Sequence, residues 1–159
     1  MAPIISFVGK HNSGKTTLLT GIINILEQRG IRTAIIKHAS SGMDLSGERD
    51  SDRLFTAGAS KVYATSPGVS LIYRREENIS LEKIYKEIND EVDLVITEGF
   101  KKESFPKIEV LRREISTSTL NIENVIARVT NFPLESSLPC FAFGQQEEIT
   151  DFIRSFLGF

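Results

Sequence analysis

Residues 7–19 read FVGKHNSGKTTLL, and the order of residue types in this stretch decides the fold. Gly9, four further residues and Gly14-Lys15-Thr16 match the phosphate-loop pattern G-x-x-x-x-G-K-[ST], in which backbone N–H groups surround phosphate oxygens. Lys15 places an ammonium against the β- and γ-phosphates, and the Thr16 hydroxyl is a ligand for Mg²⁺. The positive end of the following helix points at the same phosphates. The stretch therefore predicts a site for a nucleoside triphosphate.

The whole loop is assigned to this site. Lys10 precedes Lys15 by five residues, the spacing at which some dimeric nucleotide switches carry a lysine that reaches the partner's phosphates. Such proteins normally have glycines where this chain has His11 and Asn12, so we favour a solvated lysine. His11 occupies a permissive position of the pattern. The predicted nucleotide contacts in the loop are Gly9, Lys10, His11, Asn12, Ser13, Gly14, Lys15, Thr16 and Thr17.

The segments around the loop predict a parallel sheet. Residues 4–8 form a short apolar run, typical of a buried strand, and residues 16–29 carry apolar side chains at helical spacing. Gly30 supplies the end of that helix, and residues 33–38 form a second strand. A strand, a helix and a second strand in this order predict a right-handed βαβ unit.

The remaining pattern predicts a three-layer α/β fold of the P-loop NTPase type. We expect a single domain, 1–159, with a mostly parallel sheet and some antiparallel strands. Ser66-Pro67-Gly68 predicts a hairpin turn. We expect a loop at 39–49, helices at 50–57, 81–89 and near the C-terminus, strands at 61–65, 69–74, 92–97, 124–130 and 140–143, and a half-exposed strand at 107–112.

Composition excludes several classes of function. A net charge of −2 argues against general nucleic-acid binding, and no apolar run approaches the roughly 20 residues that span a membrane. The N-terminus lacks the charged segment of a signal peptide. Cys140 is the single cysteine, which fits a reducing cytoplasm, and its apolar neighbours predict a buried thiol.

A phosphate loop needs a carboxylate for its metal ion at the carboxyl end of a neighbouring strand. The stretch DLVITEGF places Glu98 just beyond an apolar strand, so we assign Glu98 to the Mg²⁺ site with Thr16. A surface carboxylate is the alternative interpretation. Glu98 and Lys15 are accordingly the catalytic candidates.

The segment after the second strand supplies further polar candidates. Lys37 and His38 leave the sheet at the edge where ligands bind, and Asp44 and Asp50 follow. One of these carboxylates is expected to join the metal ligands or to contact the γ-phosphate, and we assign Asp44 to the metal. For His38, a ligand contact and a hydrogen bond to a backbone carbonyl remain equally open.

Four segments together resemble the molybdopterin-guanine dinucleotide biosynthesis protein B (MobB) family: GKHNSGKTTL, IKHASSGMD, DSDRLFTAGAS and DLVITEGFKKESFPKIEVLR. The resemblance extends from residue 4 to about 130 in the family's order. It implies a GTP-binding homodimer, at most a weak GTPase. It also implies a role beside the guanylyltransferase that joins GMP to molybdopterin in molybdenum-cofactor maturation, with molybdopterin or its guanine dinucleotide as a further ligand.

The resemblance also implies roles for individual residues. Gly14, Lys15 and Thr16 would hold GTP and Mg²⁺, and Glu98 would serve the metal ion. The nucleotide- and pterin-facing surface would comprise Lys37, His38, Asp50, Lys101, Lys107 and Arg112. Strand alternation places Lys107 and Arg112 on opposite faces, and a solvated basic rim is the alternative for these residues.

Two points stay open from the residues themselves. The chain has no N-K-x-D guanine motif, and Asn131 stands where a base-reading carboxylate is expected. An amide does not provide the two acceptors that guanine requires, so guanine preference rests on the resemblance. The alternative function is a P-loop small-molecule kinase or an ATP-dependent NTPase. No long helical insertion follows Arg49 and Arg53 to form a kinase lid, which favours the adapter.

Overall fold

The computed structural model describes residues 1–39, 41–77 and 79–159. The chain folds as two compact units, one formed by Met1–His38 and Leu81–Phe159 and the other by Ala39–Ser80. In chain order, the described elements are β1 (Ile4–Gly9), α1 (Lys15–Gln28), β2 (Thr33–Lys37), α2 (Asp50–Thr56), β3 (Lys61–Ser66), β4 (Val69–Arg74), α3 (Leu81–Ile88), β5 (Leu94–Glu98), β6 (Lys107–Val110), β7 (Val125–Val129), β8 (Cys140–Phe141) and α4 (Gln146–Leu157).

The first unit is built on a sheet whose described strands follow the order β2-β5-β1-β6-β7-β8. Neighbouring strands in this order are parallel. Parallel strands require crossover connections that cover the sheet with helices. The predicted three-layer α/β fold is confirmed, and the antiparallel pairing that it allowed occurs in the β3–β4 hairpin.

Two apolar clusters cover opposite faces of this sheet. Ile5 and Phe7 of β1 pack with the apolar faces of α1 and α4, whereas Ile4 packs with Leu81 of α3. Successive strand residues point to opposite faces, so one apolar run serves both clusters. Between neighbouring strands, the buried Thr97 hydroxyl donates to Ser6 Oγ at 2.7 Å. This packing fixes the carboxyl ends of the strands that carry the site.

The strand register brings those ends to one edge of the sheet. Gly9, the last residue of β1, lies opposite Val110 of β6. Glu98, the last residue of β5, lies opposite Lys37 of β2 and Phe7 of β1. The phosphate loop, Glu98 and Lys37 therefore share the edge at which parallel α/β sheets bind ligands.

Two predicted strands are shorter than expected: those at 107–112 and 140–143 end at Val110 and Phe141.

Two further strand predictions are wrong in detail. The fifth strand begins at Leu94 rather than at residue 92, and Glu98 belongs to it rather than following it. The sixth strand is fully buried rather than half-exposed, because it lies between β1 and β7 and is covered on both faces. Cys140 is exposed instead of buried, since β8 is a two-residue strand at the sheet edge.

Lys107 is the main departure from the predicted surface. Its side chain is 1% exposed, and its ammonium donates to the carbonyl oxygens of Glu103, Phe105 (3.2 Å) and Glu123 (3.0 Å). Burial lowers the pKa of Lys107, and the carboxylates of Glu123 and Glu103 oppose the shift. The lysine joins the segments before β6 and β7 and is not part of an exposed basic rim.

Replacing Lys107 with methionine should therefore destabilise the protein. The change leaves three backbone carbonyls without their donor, and we expect the free energy of unfolding to fall by about 2–4 kcal/mol. Urea unfolding followed by circular dichroism measures this difference. The exposed Lys102→Met is the matched control and should change stability by less than about 0.5 kcal/mol. Equal stability of the two variants would contradict the structural role of Lys107.

The second unit consists of α2 and the β3–β4 hairpin. The hairpin pairs Ser66 with Val69 across the predicted turn. Phe55 stacks on Tyr73 with the ring centroids 5.4 Å apart, and the Tyr73 hydroxyl donates to Asp52. Within the described residues, no helix combines the length and apolar character needed to cross a membrane.

Candidate functional site

The phosphate loop connects β1 to α1 and depends on its two glycines. Gly14 has φ +89°, a left-handed conformation that a residue without a side chain adopts at low cost. A Cβ atom on Gly9 would lie 2.5 Å from the carbonyl oxygen of Val110. The loop therefore fits tightly between α1 and β6, and Ser13 is buried within it.

Lys15 folds back over this loop. Its ammonium donates to the carbonyl oxygen of Lys10 at 2.8 Å and lies 3.4 Å from that of Gly9. Burial lowers the pKa of Lys15; the Glu98 carboxylate opposes this shift, whereas the ammoniums of Lys101 and Lys37 reinforce it. Lys15 is thus a cation held among loop carbonyls with other lysines close by.

The N-terminus of α1 carries no acidic side chain of the helix itself to balance its partial positive charge. Its first turn contains no acidic residue, and Gly14 offers no side chain to cap it. By contrast, the first turn of α4 carries Glu147 and Glu148. The free N–H groups of a helix N-terminus attract anions, so this end of α1 suits a phosphate.

Glu98 forms a hydrogen bond with Thr16 and an ion pair with Lys37 beside the loop. The Thr16 hydroxyl lies 3.0 Å from both carboxylate oxygens of Glu98, and Lys37 Nζ is 3.6 Å from Glu98 Oε2. One hydroxyl and one carboxylate fit Mg²⁺, which commonly takes few protein ligands together with substrate phosphates and waters. In the parts of the chain that the structure describes, three or more His, Cys, Asp or Glu side chains do not gather into a metal cluster.

His38 and Lys101 lie near the same strand end. The backbone N–H of His38 donates to the Glu98 carbonyl at 3.0 Å, and its ring lies 5.2 Å from that of Phe100. Lys101 is exposed and close enough to Lys15 to lower its pKa. The structure thus places Lys101 on the loop that follows Glu98 and His38 beside that loop, as predicted.

Asp44 and Asp50 belong to the second unit. Asp44 is exposed in an irregular segment, and Asp50 is the exposed first residue of α2, where it forms an ion pair with Arg53 at 3.6 Å. Their roles at the metal and the nucleotide stay predictions.

Arg112 lies against the loop, whereas Lys107 does not. Arg112 Nε is 3.5 Å from the Ser13 carbonyl oxygen, and its guanidinium lies 4.5 Å from the centre of the Phe143 ring. Lys107 pairs with Ser6, three residues before the strand end at Gly9. The two basic residues that the resemblance assigned to one surface therefore occupy different places.

The other loop positions are exposed. Lys10 donates to Ser116 Oγ at 2.7 Å, so its ammonium contacts its own chain rather than solvent alone. His11, Asn12 and Thr17 are exposed, and Asn12 has φ +59°. These loop residues are therefore not buried as Ser13 is.

Sequence reasoning missed two side chains: Phe143, which lies against Gly14 of the loop, and Glu114, which contacts Asn131. Phe143 follows β8, and the side-chain amide of Asn131 donates to Glu114 Oε2 at 3.0 Å. Asn131 Oδ1 accepts the backbone N–H of Arg113 at 2.8 Å. Both missed residues follow parallel strands of the sheet, and that position was the available signal.

Comparison with known proteins identifies the family of this chain. The family model described as molybdopterin guanine dinucleotide synthesis protein B (MobB) matches residues 4–131. A Haemophilus influenzae protein called molybdopterin-guanine dinucleotide biosynthesis adapter protein is 35% identical, with 98% of this chain and 89% of that protein covered. An Escherichia coli protein of the same name is 30% identical, with 96% and 92% covered.

A solved structure agrees with these sequence comparisons. The crystal structure of a molybdopterin-guanine biosynthesis protein B superposes with a TM-score of 0.80 at 32% identity, covering 97% of this chain and 99% of that one. The shared fold includes the parallel sheet and therefore the strand ends that carry the phosphate loop and Glu98. With its phosphate loop, its sheet order and these relatives, the chain belongs to the MobB family.

Proposed function

We propose that this chain binds GTP with Mg²⁺ at the phosphate loop. The observation that carries the proposal is the positive charge beside the phosphate loop: Lys37 Nζ lies 3.6 Å from Glu98 Oε2, and the ammoniums of Lys101 and Lys37 both lower the pKa of Lys15. Such an excess of positive charge beside the open N-terminus of α1 is relieved by a polyphosphate.

The proposed roles of the individual residues follow from their contacts. Lys15 would leave the loop carbonyls and donate to the β- and γ-phosphates, and the hydroxyl of Thr16 and the carboxylate of Glu98 would hold Mg²⁺, which neutralises phosphate charge. Glu98 is already engaged by Thr16 and Lys37, so it is not a free general base for water. We therefore propose that hydrolysis is weak.

We further propose that the chain acts as an adapter in molybdopterin-guanine dinucleotide biosynthesis. Relatives that share almost the whole chain carry that name. The partner would be the guanylyltransferase that joins GMP to molybdopterin, with molybdopterin or its dinucleotide as a ligand. A GTP-loaded protein of this kind would hold the nucleotide for a reaction that another protein performs.

The experiment for this role measures dinucleotide formation by the purified transferase with and without the chain. We expect the chain to increase product formation at limiting GTP and to show little turnover alone. The Lys15→Ala variant serves as the control that should give no increase. Sustained multiple turnover by the chain alone on a small phosphate acceptor would instead support the kinase alternative and reject the adapter.

We also propose that the chain is a homodimer that uses the β3–β4 hairpin. Tyr63 and Ile72 are cross-strand neighbours and are 62% and 52% exposed within the described chain. An isolated two-stranded hairpin is marginally stable, so apolar side chains on its surface favour burial by a second copy.

Ile72→Asp should accordingly convert the dimer to a monomer. A charge in the centre of an apolar interface is costly, and we expect the dimer dissociation constant to rise about 100-fold or more. Sedimentation velocity measures the change. Met43→Asp, which alters an exposed apolar residue outside the hairpin, should leave the dimer intact. An unchanged dimer in Ile72→Asp would show that the hairpin is not the interface.

A further inference from the structure

Three loops meet beside the phosphate loop at the carboxyl ends of β6, β7 and β8. Arg112 follows β6, Asn131 follows β7 and Phe143 follows β8. In a parallel sheet these ends face the ligand, and they lie on the side of β1 opposite to Glu98. The phosphate and metal groups occupy one side of the loop, so the opposite side is available for the rest of a nucleotide.

Arg112 and Phe143 form a flat wall against Gly14. A Cβ atom on Gly14 would lie 2.7 Å from Arg112 Nη2 and 3.2 Å from Phe143 Cε1. The guanidinium stacks on the ring at 4.5 Å, and both side chains are only partly buried. Planar guanidinium and aromatic groups are the surfaces on which nucleobases stack.

The loop that carries Arg112 also carries a carboxylate, Glu114, two residues further along the chain. The Glu114 side chain is exposed to solvent but anchored, because Asn131 Nδ2 lies 3.0 Å from Oε2 and 3.3 Å from Oε1. Asn131 is itself fixed by the backbone N–H of Arg113. The hydrogen bond from Asn131 lowers the pKa of Glu114, and the nearby charges of Arg112 and Arg113 act in the same direction. Glu114 is therefore a carboxylate acceptor held by Asn131 on the same loop as Arg112.

This arrangement has the chemistry that guanine requires. Guanine presents N1–H and a 2-amino group side by side, and one carboxylate accepts both. Adenine presents an unprotonated N1 at the same edge, which repels a carboxylate. Asn131 is the residue at which a base-reading carboxylate was expected, and it instead holds the carboxylate of another loop.

We propose that Arg112, Phe143 and Glu114 form the guanine subsite of the nucleotide, with Glu114 as the residue that reads the base and Asn131 as its positioning residue. The inference rests on the proposed binding of GTP at the phosphate loop. Arg112 and Phe143 supply stacking, which every purine shares, and Glu114 supplies the preference for guanine.

The test exchanges a hydrogen-bond acceptor for a donor at Glu114 and a donor for an acceptor on the base. Glu114→Gln keeps one acceptor for N1–H and turns the other into a donor, which suits the 2-oxo group of xanthine. We expect GTP affinity to fall about 10- to 100-fold and affinity for xanthosine triphosphate to rise above that of the wild type. Calorimetric titration with GTP, ATP, xanthosine triphosphate and inorganic tripolyphosphate measures all four.

Tripolyphosphate separates this proposal from the proposed function. It carries no base, so Glu114→Gln should bind it as the wild type does, and Glu27→Gln at the far end of α1 should match the wild type for every ligand. An unchanged ratio of GTP to xanthosine triphosphate in Glu114→Gln would overturn the guanine subsite while leaving phosphate binding intact. Failure of the wild type to bind both tripolyphosphate and GTP would overturn the phosphate site itself.

Two further variants test the wall and the positioning residue. Phe143→Leu should lower affinity for GTP and ATP by a similar factor and leave that for tripolyphosphate unchanged, because stacking is shared by purines. Asn131→Ala should reduce the preference for GTP over ATP without changing affinity for tripolyphosphate. A parallel loss of tripolyphosphate binding in these variants would assign the loops to phosphate or to folding and would overturn the proposal.

Discussion

Lys15→Ala should lower the affinity of the chain for GTP by about 100-fold or more. In the proposed site the ammonium brings a full charge to the β- and γ-phosphates, and charge-assisted hydrogen bonds contribute about 1.5–3 kcal/mol each. This ammonium donates to the carbonyl oxygen of Lys10 at 2.8 Å, and a phosphate oxygen would replace that acceptor. Fluorescence titration with a labelled GTP analogue measures the loss.

The control for this variant is Lys102→Ala, which removes an exposed lysine of the neighbouring loop. It should bind GTP within about twofold of the wild type.

The pH dependence of GTP binding gives a second check, and the direction of the change is defined. The lowered pKa of Lys15 means that the free protein loses this charge below the ordinary lysine range, so GTP affinity should fall as pH rises through that pKa. Equal GTP binding by Lys15→Ala and the wild type, with both folded, would contradict the account.

Glu98→Gln should abolish the effect of Mg²⁺ on GTP binding. A carboxylate is the harder oxygen ligand, and a neutral amide replaces its charge at the one described acidic group that Thr16 contacts. In excess chelator the variant should bind GTP as well as the wild type or better, because a negative charge has been removed beside Lys15 and Lys37. Titrations of GTP with Mg²⁺ and with chelator measure both effects.

Glu91→Gln is the matched control, since Glu91 is exposed in the segment that precedes β5, at the other end of that strand from the loop. It should retain the full Mg²⁺ enhancement. Loss of GTP binding by Glu98→Gln in chelator would indicate a structural role for Glu98. A normal Mg²⁺ enhancement in Glu98→Gln would place the metal elsewhere.

The sequence supports the architecture because its local signals agree. The apolar run before Gly9, the helical spacing after Lys15 and the turn at Pro67-Gly68 each allow one interpretation. The strand around Lys107 misleads because lysine and glutamate alternate with apolar residues there. The pattern does not show their partners: Glu109 pairs with Arg128 at 3.0 Å. The ammonium of Lys107 donates to backbone carbonyl oxygens, two of them close in sequence and the third that of Glu123 in the segment before β7. A pattern of residue types does not reveal such pairing.

Part of the candidate site was also predictable from the sequence. The phosphate-loop pattern and strand order bring Lys15, Thr16, Glu98 and Lys37 together, because parallel strands end at one edge. Glu114 was not predictable as a partner of Asn131, since 17 residues separate them and neither belongs to a motif. The contact between them arises from adjacent strand ends and becomes visible only in the folded chain.

The central claim is that the phosphate loop holds a nucleoside triphosphate. A crystal structure of the chain with a non-hydrolysable GTP analogue and Mg²⁺ tests it most directly. We predict the β- and γ-phosphates within hydrogen-bond distance of the loop N–H groups and of Lys15 Nζ, with the metal ion beside Thr16 and Glu98. A triphosphate bound elsewhere on the chain, with Lys15 still bonded to the loop carbonyls, would contradict the account.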